Sequence, residues 1–122
     1  MNESTTQREI RAKLGSMKLP FFRYQVGTFL TSEGAMVNIG VKGVSDLIGI
    51  TPYTITPEDV GRTVGIFTAL EVKKPRGGRV SEEQKAFLRT VNRLGGIGAV
   101  VKSAADAESV VTEMWKCKLV AL

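Results

Sequence analysis

Two acidic residues sit in stretches otherwise rich in apolar residues. Asp46 lies within Val44-Ser45-Asp46-Leu47-Ile48-Gly49-Ile50, and Glu71 lies within Ala69-Leu70-Glu71-Val72-Lys73. Both stretches have the composition of buried strands, and a carboxylate inside a sheet is costly unless something pairs with it. A divalent metal ion bound by both would supply that partner, since carboxylates are hard oxygen donors. In a strand, Glu71 and Lys73 share a face while Val72 turns into the core. Carboxylate and ammonium then stand side by side, and the Val72 carbonyl offers a further oxygen ligand. The competing reading is a Glu–Lys pair on a solvated face, with Asp46 in a turn.

Three further features bear on this pair. At about 100° per residue, Glu3, Gln7, Ile10 and Leu14 form one narrow stripe, with Glu9 pointing away. Glu3 is thereby aligned with the expected buried face of a first helix, where a site could use another carboxylate; otherwise it flanks the cap and complements the helix dipole. Gln84 stands three residues after Ser81, so its amide either completes a capping box or holds a metal-bound water or a phosphate, two roles that compete for one side chain. The segment Lys73–Arg79 carries Lys73, Lys74, Arg76 and Arg79, with Pro75, Gly77 and Gly78 breaking regular structure. It is either a solvated connection or a phosphate contact beside the strand.

Other signals are weaker. Phe21, Phe22 and Tyr24 could stack on bases but suit core packing better. Gly95-Gly96-Ile97-Gly98 runs from helix to strand, the wrong direction for a dinucleotide-binding loop, so no nucleotide cofactor is expected.

Composition narrows the chemistry. The chain has no histidine and one cysteine, Cys117. That excludes a Ser-His-Asp triad, a Cys-His dyad, a histidine-metal nuclease motif and a zinc finger. A single cysteine forms no internal disulfide, so a reducing, cytoplasmic setting is expected. The start of the chain, Met1-Asn2-Glu3-Ser4-Thr5-Thr6-Gln7, has no signal-peptide character. No apolar run approaches the roughly 20 residues that span a bilayer. Any catalysis must come from carboxylates, lysine and an oxygen-ligated metal. Seventeen Lys and Arg against twelve Asp and Glu give a net charge of +5, which favours a polyanionic partner.

The elements that must position these residues follow from periodicity and breakers. With 122 residues and 43% hydrophobic content the chain is expected to be one folded domain, 1–122. A helix is expected over 3–15, opened by a Ser4/Gln7 capping box and closed by Gly15. Extended stretches follow at Phe21–Leu30, Met36–Ile50 and Thr63–Lys73, with a proline- and acid-containing loop, Thr51–Arg62, between the last two. Ser81 opens a helix over Glu82–Leu94, with Ala86-Phe87 and Val91-Leu94 on its buried side, and Gly95-Gly96 ends it. Ile97–Val101 is a short strand. Ser103 caps a last helix reaching about Lys116, with Val110, Val111, Met114 and Trp115 as its apolar side. The order αβββαβα predicts an α/β fold with a mixed central sheet flanked by helices.

An Asp, then Glu-x-Lys on the following strand, in this order of elements, resembles the PD-(D/E)XK nuclease superfamily. The fuller pattern is similar to its virus-type replication-repair nuclease (VRR-NUC) family, in the small stand-alone form of phages and bacteria. The matching residues are Glu3 with Gln7, Gly43-Val44-Ser45-Asp46-Leu47-Ile48-Gly49, Glu71-Val72-Lys73 with Pro75, Ser81-Glu82-Glu83-Gln84 with Phe87, and Gly95-Gly96. Ser45 stands where the superfamily's name has proline, a residue that shapes the turn and binds nothing.

The resemblance implies a restriction-endonuclease-like αβββαβ core and metal-dependent hydrolysis of DNA phosphodiesters, on branched DNA such as Holliday junctions. It implies Mg2+ or Mn2+ bound by Asp46, Glu71 and the Val72 carbonyl, with Glu3 as a direct or water-mediated ligand. Lys73 would orient or deprotonate the attacking water, and Gln84 would assist at the metal or phosphate. Lys74, Arg76 and Arg79 are the candidate DNA contacts. Small members of the family behave as homodimers, which implies a dimer here. The aromatic strand Phe21–Phe29, the loop Thr51–Arg62 and an exchange of the first helix about Gly15-Ser16 are the candidate interfaces. The rival is a non-catalytic nucleic-acid-binding module in which Asp46, Glu71 and Lys73 form a structural ion-pair network.

Overall fold

The structure, a computed structural model, describes residues 2–24 and 27–114. Val26, Trp115 and Cys117, and with them the end of the last expected helix, lie outside the described residues. The chain is a mixed α/β fold made of two compact units, Met1–Thr51 and Pro52–Leu122. No described helix is long and apolar enough to cross a membrane.

In the N-terminal unit, helix α1 spans Glu3–Ser16. Its cap is Asn2, whose Oδ1 accepts from Thr5 N at 2.8 Å, so the box expected from Ser4 and Gln7 is displaced by two residues. Asn is as good a cap as Ser, and the earlier cap lengthens the helix. At the other end α1 runs through Gly15, and Lys18 takes the left-handed turn at φ 61°. None of its residues is buried, and both Ile10 and Glu3 are exposed. The expected buried stripe through Glu3 is therefore not formed, and Glu3 sits in the first turn, where it complements the helix dipole.

Each of the first two expected strands divides. The stretch Phe21–Leu30 holds β1 (Phe21–Arg23) and β2 (Gly27–Leu30); Met36–Ile50 holds β3 (Met36–Ile39) and β4 (Leu47–Gly49). Strands β2 and β3 form an antiparallel hairpin, whereas β1 pairs antiparallel with β4. A tight turn between β3 and β4, closed by Val44 N donating to Val41 O at 3.2 Å, is what interrupts the second stretch. Tyr24 N donates to Asp46 O at 2.9 Å, extending the β1–β4 ladder by one rung. The Tyr24 hydroxyl accepts from Val41 N at 2.9 Å, so this aromatic ring has a structural task within the unit.

In the C-terminal unit, Thr63–Lys73 contributes only β5, Thr68–Val72. Its partner β6, Ile97–Val101, is equally short, and the two pair in parallel from Thr68↔Ile97 to Val72↔Val101. A strand lasts only as long as something pairs with it, which is why the preceding apolar residues stay irregular. Helix α2, Glu82–Arg93, crosses β6 closely: a Cβ on Gly98 would stand 2.7 Å from the Leu88 carbonyl oxygen. The Asn92 side chain accepts from Gly98 N at 2.8 Å and donates to Gly98 O at 3.0 Å, fastening helix to strand. The face of α2 that meets the strands carries Gln84, Leu88 and Val91, at helical i, i+4, i+7 spacing, while Ala86 and Phe87 are exposed. On the other face of the strand pair, Ile97, Val101 and Val110 form a buried cluster with Ile66, Ala99 and Ala107. Helix α3, Ala104–Ser109, is capped by Ser103 as expected and continues into a π turn, Val110–Met114, in which Val111 is exposed.

The Thr51–Arg62 loop contains a 3-10 turn, Pro57–Asp59. It is organised by Asp59, whose Oδ2 accepts from Thr56 N at 2.9 Å and the Tyr53 hydroxyl at 2.8 Å, and whose Oδ1 meets Arg62 Nη1 at 2.8 Å. The Asp59 side chain is only 8% exposed.

Candidate functional site

The alternation of β5 puts Glu71 on the same face as Ala69, and Lys73 follows on that face just past the strand. Lys73 Nζ approaches Glu71 Oε1 to 3.1 Å, with the two side chains 19% and 28% exposed. Val72 does not enter the core: it is 71% exposed, because the buried cluster on its face gathers over β6 and leaves the end of β5 uncovered.

Helix α2 supplies the third member. Gln84 Nε2 donates to Glu71 Oε1 at 2.8 Å. The same side chain accepts from Ser81 N through Oε1 at 2.9 Å, and Gln84 N donates to Ser81 Oγ at 3.1 Å. The capping box forms, and the same side chain also reaches Glu71, because a primary amide carries an acceptor at one end and a donor at the other. Glu71 Oε1 thus receives both Lys73 and Gln84, and among the described residues Oε2 has no hydrogen-bond partner.

The basic segment folds back on this cluster. A Cβ on Gly78 would stand 2.7 Å from Lys73 Cβ and 3.0 Å from Lys74 O, so only glycine lets the chain close over the lysine stem. Lys74, Arg76 and Arg79 are exposed and form no ion pair among the described residues. Cations free of internal partners are suited to phosphate.

Asp46 and Glu3 belong to the N-terminal unit. Asp46 lies one residue before β4, not within a strand, and its side chain is exposed. Its environment is therefore the turn of the competing reading, at the mouth of the β1–β4 ladder. Among the described residues, no three histidine, cysteine, aspartate or glutamate side chains form a group that could hold a metal ion. Glu71, Lys73 and Gln84 come together within the C-terminal unit, whereas Glu3 and Asp46 lie in the N-terminal unit.

Sequence reasoning missed Gly78 as the residue that lets the loop close. The signal for Gln84 was present: it shares the Leu88–Val91 stripe, so a polar residue on that inward face had to meet something polar on β5.

A mixed α/β fold in which a parallel strand pair meets helices is consistent with the nuclease superfamily described above. The VRR-NUC domain model matches residues 35–105, more than half of the 122-residue chain, and the chain belongs to that family. The match includes Asp46, Glu71, Lys73, Ser81 and Gln84, and leaves Glu3 outside. No curated protein and no solved structure gives a significant match to the chain.

Proposed function

We propose that the protein is a metal-dependent, structure-specific DNA endonuclease that hydrolyses phosphodiester bonds in branched DNA such as four-way junctions. One observation carries this reading: within the VRR-NUC match, Glu71 has one oxygen held by Lys73 and Gln84 and the other without a partner among the described residues, beside three exposed cations. Hard oxygen donors suit Mg2+ or Mn2+, which would be held by Glu71, Asp46 and the Val72 carbonyl, with Glu3 as a direct or water-mediated ligand. Such an ion, when bound, lowers the pKa of a coordinated water and stabilises negative charge on the phosphate.

The chain's own groups do the rest. Lys73, beside Glu71 and under the closed loop, directs a hydrogen bond at the attacking water or, as the neutral amine, takes its proton. Its charge offsets that building on the pentacovalent phosphorus. Gln84 holds the Glu71 carboxylate in place and assists at the phosphate. Lys74, Arg76 and Arg79 grip the DNA backbone. In this reading the full αβββαβ core forms from one domain, 1–122, two copies act as a homodimer on the two strands of a junction, and the enzyme works in the cytoplasm of the cell or of a phage-infected host.

The test is cleavage by purified protein of duplex, flap and four-way-junction DNA, with and without Mg2+ or Mn2+. Metal-dependent cutting of the junction is the expected result. A second reading, the non-catalytic binding module, is favoured by one observation: Glu71 and Lys73 form an ion pair with each other. Binding of every DNA without metal-dependent cutting would select it.

A further inference from the structure

We infer that Ser81 is a positioning residue of the site: its hydroxyl, by capping Gln84 N, keeps Gln84 Oε1 on the Ser81 backbone N–H and so holds the amide in the orientation that donates to Glu71. The inference rests on the nuclease reading for its catalytic consequence, and on geometry alone for the positioning itself.

Three polar groups meet at the Gln84 side chain. Ser81 N can only donate, and an ionised Glu71 carboxylate can only accept. The Gln84 Oε1 accepts from the first at 2.9 Å and its Nε2 donates to the second at 2.8 Å. Turned over, the amide would set NH2 against N–H at one end and oxygen against carboxylate at the other. The terminal torsion of a glutamine is otherwise broad, with two orientations of similar energy. Here both ends select the same one. The Ser81 hydroxyl completes the arrangement by accepting Gln84 N at 3.1 Å, which fixes the backbone of Gln84 directly above Ser81.

The consequence lies at Glu71. With Gln84 and Lys73 both on Oε1, the carboxylate is held from turning freely, and Oε2 is the oxygen without a hydrogen-bond partner among the described residues. Loss of the amide leaves Lys73 alone on the carboxylate, whose two oxygens then exchange places. A helix cap by itself does not require glutamine, since glutamate closes the same box. Glutamate at 84 would, however, set a second carboxylate on Glu71. The amide is the group that satisfies both ends, so the start of α2 and the acidic residue of β5 form one hydrogen-bonded unit.

The experiment follows the Gln84 side-chain amide by NMR in the full, metal-free chain, with cleavage kinetics alongside. Glu71→Gln, which removes the charged acceptor, marks how far the Gln84 resonances move when that bond weakens. Ser81→Ala is expected to move them in the same sense and to lower kcat about fivefold with KM for DNA unchanged, the scale of a lost cap interaction. Ser81→Thr, which also caps, is expected to restore both. Ser81→Gly, which helix N-termini tolerate nearly as well as serine, separates lost positioning from lost folding and is expected to move the resonances in a chain of normal stability. Gln84 resonances unmoved in both Ser81→Ala and Ser81→Gly would overturn the inference. If the wild type cuts no DNA, the nuclease reading fails, and the resonances still decide the role of Ser81.

Discussion

The Gln84 amide joins Glu71 on β5 to Ser81 at the start of α2, with Nε2 2.8 Å from Glu71 Oε1. Replacing it separates its two tasks. Gln84→Glu keeps the capping box, so circular dichroism and melting should stay near wild type. The new carboxylate beside Glu71 should nevertheless cut turnover by about tenfold or more, the scale of a lost hydrogen bond to a charged group. Equal rates for wild type and variant would reduce Gln84 to a cap.

Asp46→Asn and Glu71→Gln should each reduce cleavage to background while DNA binding is kept or strengthened, because each removes negative charge that repels phosphate. Filter binding or anisotropy, run beside the cleavage assay, separates the two effects. Full activity of either variant in Mn2+ would remove that residue from the ligand set.

The cations near the site divide by environment. Lys73 is ion-paired and half-buried, whereas Lys74, Arg76 and Arg79 are exposed. Lys73→Ala should lower kcat by orders of magnitude, on the order of the 10²–10⁴-fold of a positioned proton-handling group. Alanine at each of the other three should weaken DNA binding and reduce the salt slope by about one unit for every phosphate that side chain neutralises. Gly78→Ala should resemble a mild Lys73 variant, since its methyl group would press on Lys73 Cβ. A Lys73→Ala defect confined to affinity would refute the catalytic assignment.

Asp59 makes the Thr51–Arg62 loop acid-sensitive. The Thr56 N–H bond is the main cause holding its carboxyl below the ordinary aspartate value of 3.8; the Tyr53 hydroxyl adds to this, partial burial opposes it, and Arg62 and the Thr56 hydroxyl contribute further. A depressed folded-state pKa means the carboxylate stabilises the loop above the unfolded value, and that this is lost as pH falls through the folded one. Protection of Thr56 N from hydrogen exchange, relative to the intrinsic rate at each pH, should therefore be high at neutral pH and fall below the ordinary aspartate range. In Asp59→Asn that protection should be low and flat across the window.

The working unit should be a homodimer, since symmetric cutting of a junction needs two sites related by a two-fold axis. Light scattering at micromolar concentration should give twice 13.2 kDa. A monomeric mass with full junction cutting would contradict the dimer.

By itself the sequence determined the chemistry available and most of the local structure of the C-terminal unit. The absence of histidine left carboxylates and lysine, Glu71-x-Lys73 had to share a strand face, and Ser81 with Gln84 had to open a helix. These are short-range facts, set by side-chain alternation and by hydrogen bonds spanning three or four residues. Strand limits were not legible, because a strand exists only opposite a partner: β5 stops where β6 stops, and the stretch around Asp46 splits between two different pairings. Nor could the sequence tell which faces would be covered, so Val72 and Phe87 were expected inside and are exposed. Only the tertiary structure decided that one amide serves both the α2 cap and Glu71. That bond spans thirteen residues and depends on the closeness with which α2 crosses β6 at Gly98.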